Sequence, residues 1–357
     1  MSDEELLEAL LAGEHRALAR VISKIENRSP GYRELVSELY AHTGGADVIG
    51  ITGSPGAGKS TLVDKLAEAY RERGETVGII AIDPSSPFTG GAVLGDRIRM
   101  ASTVGDMDVF VRSMSARGTL GGLSTATADA VKAMDAFGKD KIIIETVGAG
   151  QNEIDIVRTA DTVAVLVPPG SGDEIQTLKA GILEIADVFV VNKADRDGAD
   201  RTVQELRDMI QLGEGNAGGG AGGHHSQDVI DAHDDWDPDD QDDENDETTA
   251  WTTPIVETVA TRATGVDDLI DAVADHRTYL VESGEKAEMT RQRHAEEIRT
   301  LLREDVHDLL ETELERAGGI DDLAEAVRQG ETDPYTIADD LLEPVERCLS
   351  DLRLEDE

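Results

Sequence analysis

The sequence predicts an α/β protein: a doubly wound, mostly parallel sheet with helices ahead of it and a helical arm behind it. Three observations predict this. Short apolar runs recur at Val48–Ile51, Val77–Ile82, Val109–Val111, Ile142–Ile144, Val163–Val167, Val188–Val191 and Ile255–Val256. Most are too short for buried helices and alternate too little for half-exposed strands, as expected of a sheet covered on both faces. Helical segments near 59–73, 121–137, 173–186, 200–212 and 266–282 separate many of them, and alternating strand and helix implies parallel pairing through crossovers. From about residue 284 the strands stop.

Residues 1–45 read as helix: Leu6, Leu7, Leu10, Leu11, Leu18, Val21, Ile22 and Ile25 recur at helical spacing, and Leu35, Val36 and Leu39 follow Pro30-Gly31. Residues 46–283 carry the sheet. Within them, 213–250 is Gly-rich and then acidic and poor in apolar residues. Such a segment buries too little surface to offset its ordering entropy, so it reads as a disordered insertion. Residues 284–357 form charged amphipathic helices, with Ile298, Leu301, Leu302, Val306, Leu309 and Leu310 on one face; they read as an arm or a dimer element.

Composition narrows the function classes. The chain has 357 residues, 39% hydrophobic, enough for a sizeable core. No apolar run approaches the roughly 20 residues of a membrane helix. The acidic N-terminus lacks the basic start of a secretory signal, and the single cysteine, Cys348, has no internal partner. Both features point to the cytoplasm. A net charge of -42 repels nucleic acid and anionic membranes. The acidic excess persists outside residues 228–247, and the bases are mostly Arg, as on proteins from a salt-rich cytoplasm, where screening makes such repulsion tolerable.

The strongest motif is Gly53-Ser54-Pro55-Gly56-Ala57-Gly58-Lys59-Ser60-Thr61, between a strand and a helix. It matches G-x-x-x-x-G-K-[ST] and so predicts a P-loop NTPase. Glycines let backbone N–H groups wrap phosphates, and the helix N-terminus favours anions. Lys59 is expected to reach the β- and γ-phosphates and Ser60 to ligate Mg²⁺. Asp83 and Glu145 end two strands and supply the hard oxygens that Mg²⁺ prefers. Glu145-Thr146-Val147-Gly148 is similar to the D-x-x-G signature of GTPases, with Glu for Asp. Gly148 is expected to offer its N–H to the γ-phosphate, so that losing the phosphate releases the loop.

Asn192-Lys193-Ala194-Asp195 matches N-K-x-D after a buried strand. A buried Asp195 can accept two hydrogen bonds from guanine, whereas adenine offers no matching donor pair. Lys193 is expected to pack along the base and Asn192 to tie this loop to the P-loop. Thr258-Val259-Ala260, with Thr261 behind it, could reach the guanine oxygen through backbone N–H groups. Ala149 and Gly150 separate Gly148 from Gln151, so Gln151 and Arg99 are only candidates for a hydrolytic role. Slow intrinsic hydrolysis, below about 1 s⁻¹ without a partner, is expected.

Longer stretches carry a family resemblance. AIDPSSPFTGGAVLGDRIRM (81–100), ETVGAGQNE (145–153), PGSGDEIQTLKAGILEIADVFVVNKAD (169–195), the helix LLAGEHRALARVISKIENRSP before the P-loop and DPYTIADDLL (333–342) are similar to the methylmalonyl-CoA mutase-associated GTPases, the MeaB/ArgK group. The resemblance covers nearly the whole chain except 213–250. It implies a homodimeric GTPase of the metallochaperone-like P-loop class that assists an adenosylcobalamin-dependent mutase with cofactor loading, protection and reactivation. It carries Asp96 over to the Mg²⁺ and phosphate constellation beside Ser60, Asp83 and Glu145. It also carries Asp173, Gln176 and Lys179 over to a switch that signals to the mutase. The sequence departs from the family at the insertion and at Val259, where a small hydroxyl residue is usual. Two competing readings are a metal-delivery GTPase, suggested by His224, His225 and His233 in the insertion, and an ATP-using transport kinase, which Asn192-Lys193-Ala194-Asp195 opposes.

Overall fold

A computed structural model describes residues 1–83, 105–115, 122–146, 159–170, 185–216, 250–316 and 318–354. Three helices open the chain: α1 (Asp3–Leu11), α2 (His15–Glu26) and α3 (Tyr32–Leu39). Ser2 and Glu5 cap α1 reciprocally: Glu5 N donates to Ser2 Oγ at 3.2 Å and Ser2 N to Glu5 Oε2 at 2.9 Å, satisfying two N–H groups that have no partner inside the helix. The expected apolar stripe is largely buried, from Leu6 and Leu10 to Leu39, although Leu11 points outward.

The sheet follows: β1 (Asp47–Gly53), α4 (Lys59–Glu72), β2 (Val77–Asp83), β3 (Val109–Ser115), α5 (Gly122–Ala136), β4 (Lys141–Glu145), β5 (Thr162–Val167), β6 (Val188–Asn192), α6 (Ala199–Asn216), β7 (Ile255–Thr258) and α7 (Val266–Glu282). Among the described residues the order is β3-β2-β4-β1-β5-β6-β7. Every pairing is parallel, so the sheet is wholly rather than mostly parallel.

The pleat divides each strand between two cores. Val48, Ile142, Ile144, Val163, Val165, Phe189 and Val191 face one core, shared with α1–α3, α5 and α6. Ile49, Ile51, Ile143, Ala164, Leu166, Val188 and Val190 face the other, shared with α4 and α7. This double coverage is why the strands read as continuous apolar runs. The N-terminal helices are thus one wall of the sheet's own core. α6 runs to Asn216, past the expected end at 212, so residues 213–216 of the predicted insertion are helical; residues 217–249 lie outside the described residues.

Beyond the sheet come α8 (Glu285–Arg316), α9 (Gly319–Gln329) and α10 (Pro334–Leu354), which contains Pro344. The chain divides into two compact units, Met1–Arg291 and Gln292–Glu357. No described helix is long and apolar enough to cross a membrane.

Candidate functional site

An all-parallel sheet places the C-terminal ends of its strands along one edge, where α/β proteins bind ligands beside a switch in strand order. Here β1 lies between β4 and β5, and that edge collects Gly53, Asp83, Glu145, Val167, Asn192 and Thr258. The P-loop leaves the sheet at Gly53. This residue has φ +133°, and a Cβ there would stand 2.1 Å from Leu166 O, so only glycine lets the loop turn away beside β5. Gly58 caps α4 at φ +101°, and its Cβ would meet Asn192 Nδ2 at 2.4 Å.

Between these glycines the loop is compact. Ala57 is buried, and its N–H donates to Ser54 O at 3.1 Å. Pro55, Gly56 and Thr61 are exposed, whereas Ser54, Gly58 and Ser60 are half-buried. Lys59 is buried, with Nζ donating to Gly53 O at 2.5 Å and Ser54 O at 3.0 Å. Its ammonium is therefore held inside the loop that the sequence assigns to phosphate. Ser60 Oγ donates to Glu145 Oε1 at 2.5 Å, bringing together two of the four predicted Mg²⁺ ligands. Asp83 ends β2, whose Ala81 is in register with Glu145. Thr146 Oγ1 donates to Thr52 Oγ1 at 2.9 Å and Thr146 N to Ile51 O at 3.1 Å, locking the end of β4 to β1. Hydroxyl and carboxylate oxygens converging at a helix N-terminus fit a hard divalent cation.

Asn192 joins three segments. It is buried; its Nδ2 donates to Ala57 O at 2.8 Å, and its Oδ1 accepts from Thr258 Oγ1 at 3.1 Å and Ala260 N at 3.2 Å. The expected tie to the P-loop is present, and the tie to the loop after β7 is additional. Thr258 was absent from the predicted side-chain set; its place just ahead of Val259-Ala260 was the available signal. Lys193 adopts φ +63° and donates Nζ to Gly56 O at 2.5 Å, so its side chain spans the gap between the two loops.

Two expectations need correction. Asp195 is exposed rather than buried, and it accepts a hydrogen bond from Arg262 Nη2 at 2.8 Å. Its side chain is 36% exposed, so the charge keeps part of its hydration. The backbone donors of the loop after β7 are also committed: Val259 N donates to Thr264 O at 3.0 Å and Ala260 N to Asn192 Oδ1 at 3.2 Å. A tight turn over Ala260–Arg262, including Thr261, follows them. Gly148, Gln151, Asp96, Arg99, Asp173, Gln176, Lys179, His224, His225 and His233 lie outside the described residues.

A profile of the family described as "Methylmalonyl Co-A mutase-associated GTPase MeaB" matches residues 18–315. The chain belongs to the MeaB family. Its relatives include a protein of Pyrococcus abyssi that carries a GTPase designation, 45% identical over 342 residues, covering 96% of both chains. The "GTPase ArgK" of Escherichia coli is 30% identical over 306 residues, covering 85% of this chain and 84% of that one. A mouse protein, "Methylmalonic aciduria type A homolog, mitochondrial", is 36% identical over 208 residues, covering 54% of this chain and 50% of the relative. In fold, the chain is similar to a crystal structure titled "LAO/AO transport system kinase", with a TM-score of 0.62 at 24% identity, covering 96% and 97% of the two chains. As a MeaB-family protein the chain is a GTPase that binds guanine nucleotides.

Proposed function

We propose that this MeaB-family GTPase is a homodimeric, Mg²⁺-dependent switch that assists an adenosylcobalamin-dependent methylmalonyl-CoA mutase in the cytoplasm, in cofactor loading, protection and reactivation. The observation that carries the reading is the family match, which runs from α2 through almost all of α8 and so includes the start of the arm as well as the GTPase core. The mouse relative's name carries the same methylmalonic link.

The site's chemistry supports a switch. Lys59 and the P-loop N–H groups would hold the phosphates, and Asn192 keeps the base loop and phosphate loop at a set spacing. Ser60, Asp83, Asp96 and Glu145 would hold Mg²⁺, which would neutralise charge on the β- and γ-phosphates. Gly148 and the Asp173, Gln176 and Lys179 segment would respond to the γ-phosphate and present its state to the mutase. Gln151 would orient water. Ile298, Leu302, Val306 and Leu309 on α8 are 58%, 59%, 45% and 67% exposed, and their helical spacing makes one apolar stripe suited to a second copy of the chain.

Capture of a B12-dependent mutase in concentrated KCl, with a non-hydrolysable GTP analogue and then with GDP, tests the proposal. Binding is expected to differ between the two states. Equal binding, or none in either, removes the switch.

A further inference from the structure

The carboxylate expected to read the base already has a partner within the chain. Arg262 Nη2 lies 2.8 Å from Asp195 Oδ2, although 67 positions separate the two residues. Among the described residues, neither makes another ion pair. The pair bridges the loop after β6 and the turn after β7, which lie side by side because Asn192 and Thr258 are in register.

A stiff turn delivers Arg262 to this contact. Its N–H donates to Val259 O at 2.8 Å, Ala263 takes φ +54°, and Val259 and Thr264 close an isolated bridge. The backbone is therefore set, while the side chain is 67% exposed.

We propose that Arg262 is an internal stand-in for guanine, competing with the base for Asp195. The inference rests on the reading of Asp195 as the base acceptor. The donor chemistry is shared: the edge of guanine that a carboxylate reads carries a ring N–H and an exocyclic amine on one N–C–N unit, and a guanidinium presents the same planar donor array. Adenine presents an acceptor where guanine has its ring N–H. When no guanine is bound, Arg262 pairs with the carboxylate. Guanine entry displaces it into solvent, and as the base leaves Arg262 recaptures the oxygen. Arg262 therefore weakens guanine nucleotides selectively and speeds their release.

Calorimetric titration of the full chain with GDP and ADP tests this, using wild type, Arg262→Gln, Asp195→Asn and the double variant, each checked for folding by circular dichroism. Arg262→Gln is expected to tighten GDP by about two- to five-fold, the range of one exposed ion pair. It should leave ADP unchanged and have no effect on GDP binding in the Asp195→Asn background. Unchanged or weaker GDP binding by Arg262→Gln overturns the competition, as does equal tightening of ADP, which would make Arg262 a steric plug. If Asp195→Asn keeps the preference for GDP over ADP, the base reading itself fails. If that preference is lost but Arg262→Gln does not tighten GDP, the base reading stands and only the competition falls.

Discussion

Asn192 shows how much one buried amide can organise. It satisfies a P-loop carbonyl, a threonine hydroxyl and a backbone N–H, so its loss leaves three polar groups, on the P-loop and at the end of β7, without their partner. Asn192→Ala is expected to cost about 1–3 kcal/mol of stability, the range for buried hydrogen-bonding groups left unpaired, and to weaken GTP binding as well. Paired thermal melts and nucleotide titrations read both effects; a variant as stable as wild type would show that water replaces the amide. The tie from Asn192 to the P-loop was legible in the sequence, because the motif itself carries that geometry. The contact between Arg262 and Asp195 was not. Nothing in the local pattern around Arg262 names a partner so distant in the chain, and Asp195 read as buried because its role was inferred from the base it would meet rather than from its neighbours.

At the scale of elements, the P-loop depends on backbone that lacks a side chain where α4 begins. A Cβ on Gly58 would lie 2.4 Å from Asn192 Nδ2, and φ +101° is strained for any L-residue. Gly58→Ala should therefore push Asn192 off Ala57 O and open the clasp between the two loops. We expect GTP affinity to fall by at least about tenfold, equivalent to ~1.4 kcal/mol, with the far-ultraviolet circular dichroism of the sheet and helices retained. Unaltered affinity would mean that the loop relaxes without disturbing Asn192. The seven strands were legible because both faces of the sheet are covered, leaving continuous apolar runs. The extent of α6 was not, since the glycines and polar residues at its end have low helix propensity and read as a stop.

For the whole molecule, 75 acidic side chains against 33 basic ones set the conditions under which the fold survives. Ion pairs such as Arg73 with Asp267 and Arg201 with Glu205 offset part of the repulsion, but these exposed pairs are weak. Screening shortens the reach of the remaining repulsion from about 10 Å at 0.1 M salt to about 3 Å at 1 M. The melting temperature is therefore expected to rise from about 0.1 M to multimolar KCl, with light scattering in the stabilising salt reporting the mass of two chains. Equal stability at both ends would remove the salt-adapted reading, and the mass of one chain would remove the dimer.

By itself the sequence determined the sheet, the P-loop, the guanine motif and the family, because hydrophobic periodicity and short phosphate-binding turns are local properties of the chain. Only the tertiary structure decided that all the described strands run parallel, that the N-terminal helices wall the sheet's core, that Ser60 meets Glu145 and that Arg262 holds Asp195. Each of these depends on which strand ends lie side by side, and that follows from strand order and register rather than from any run of neighbouring residues.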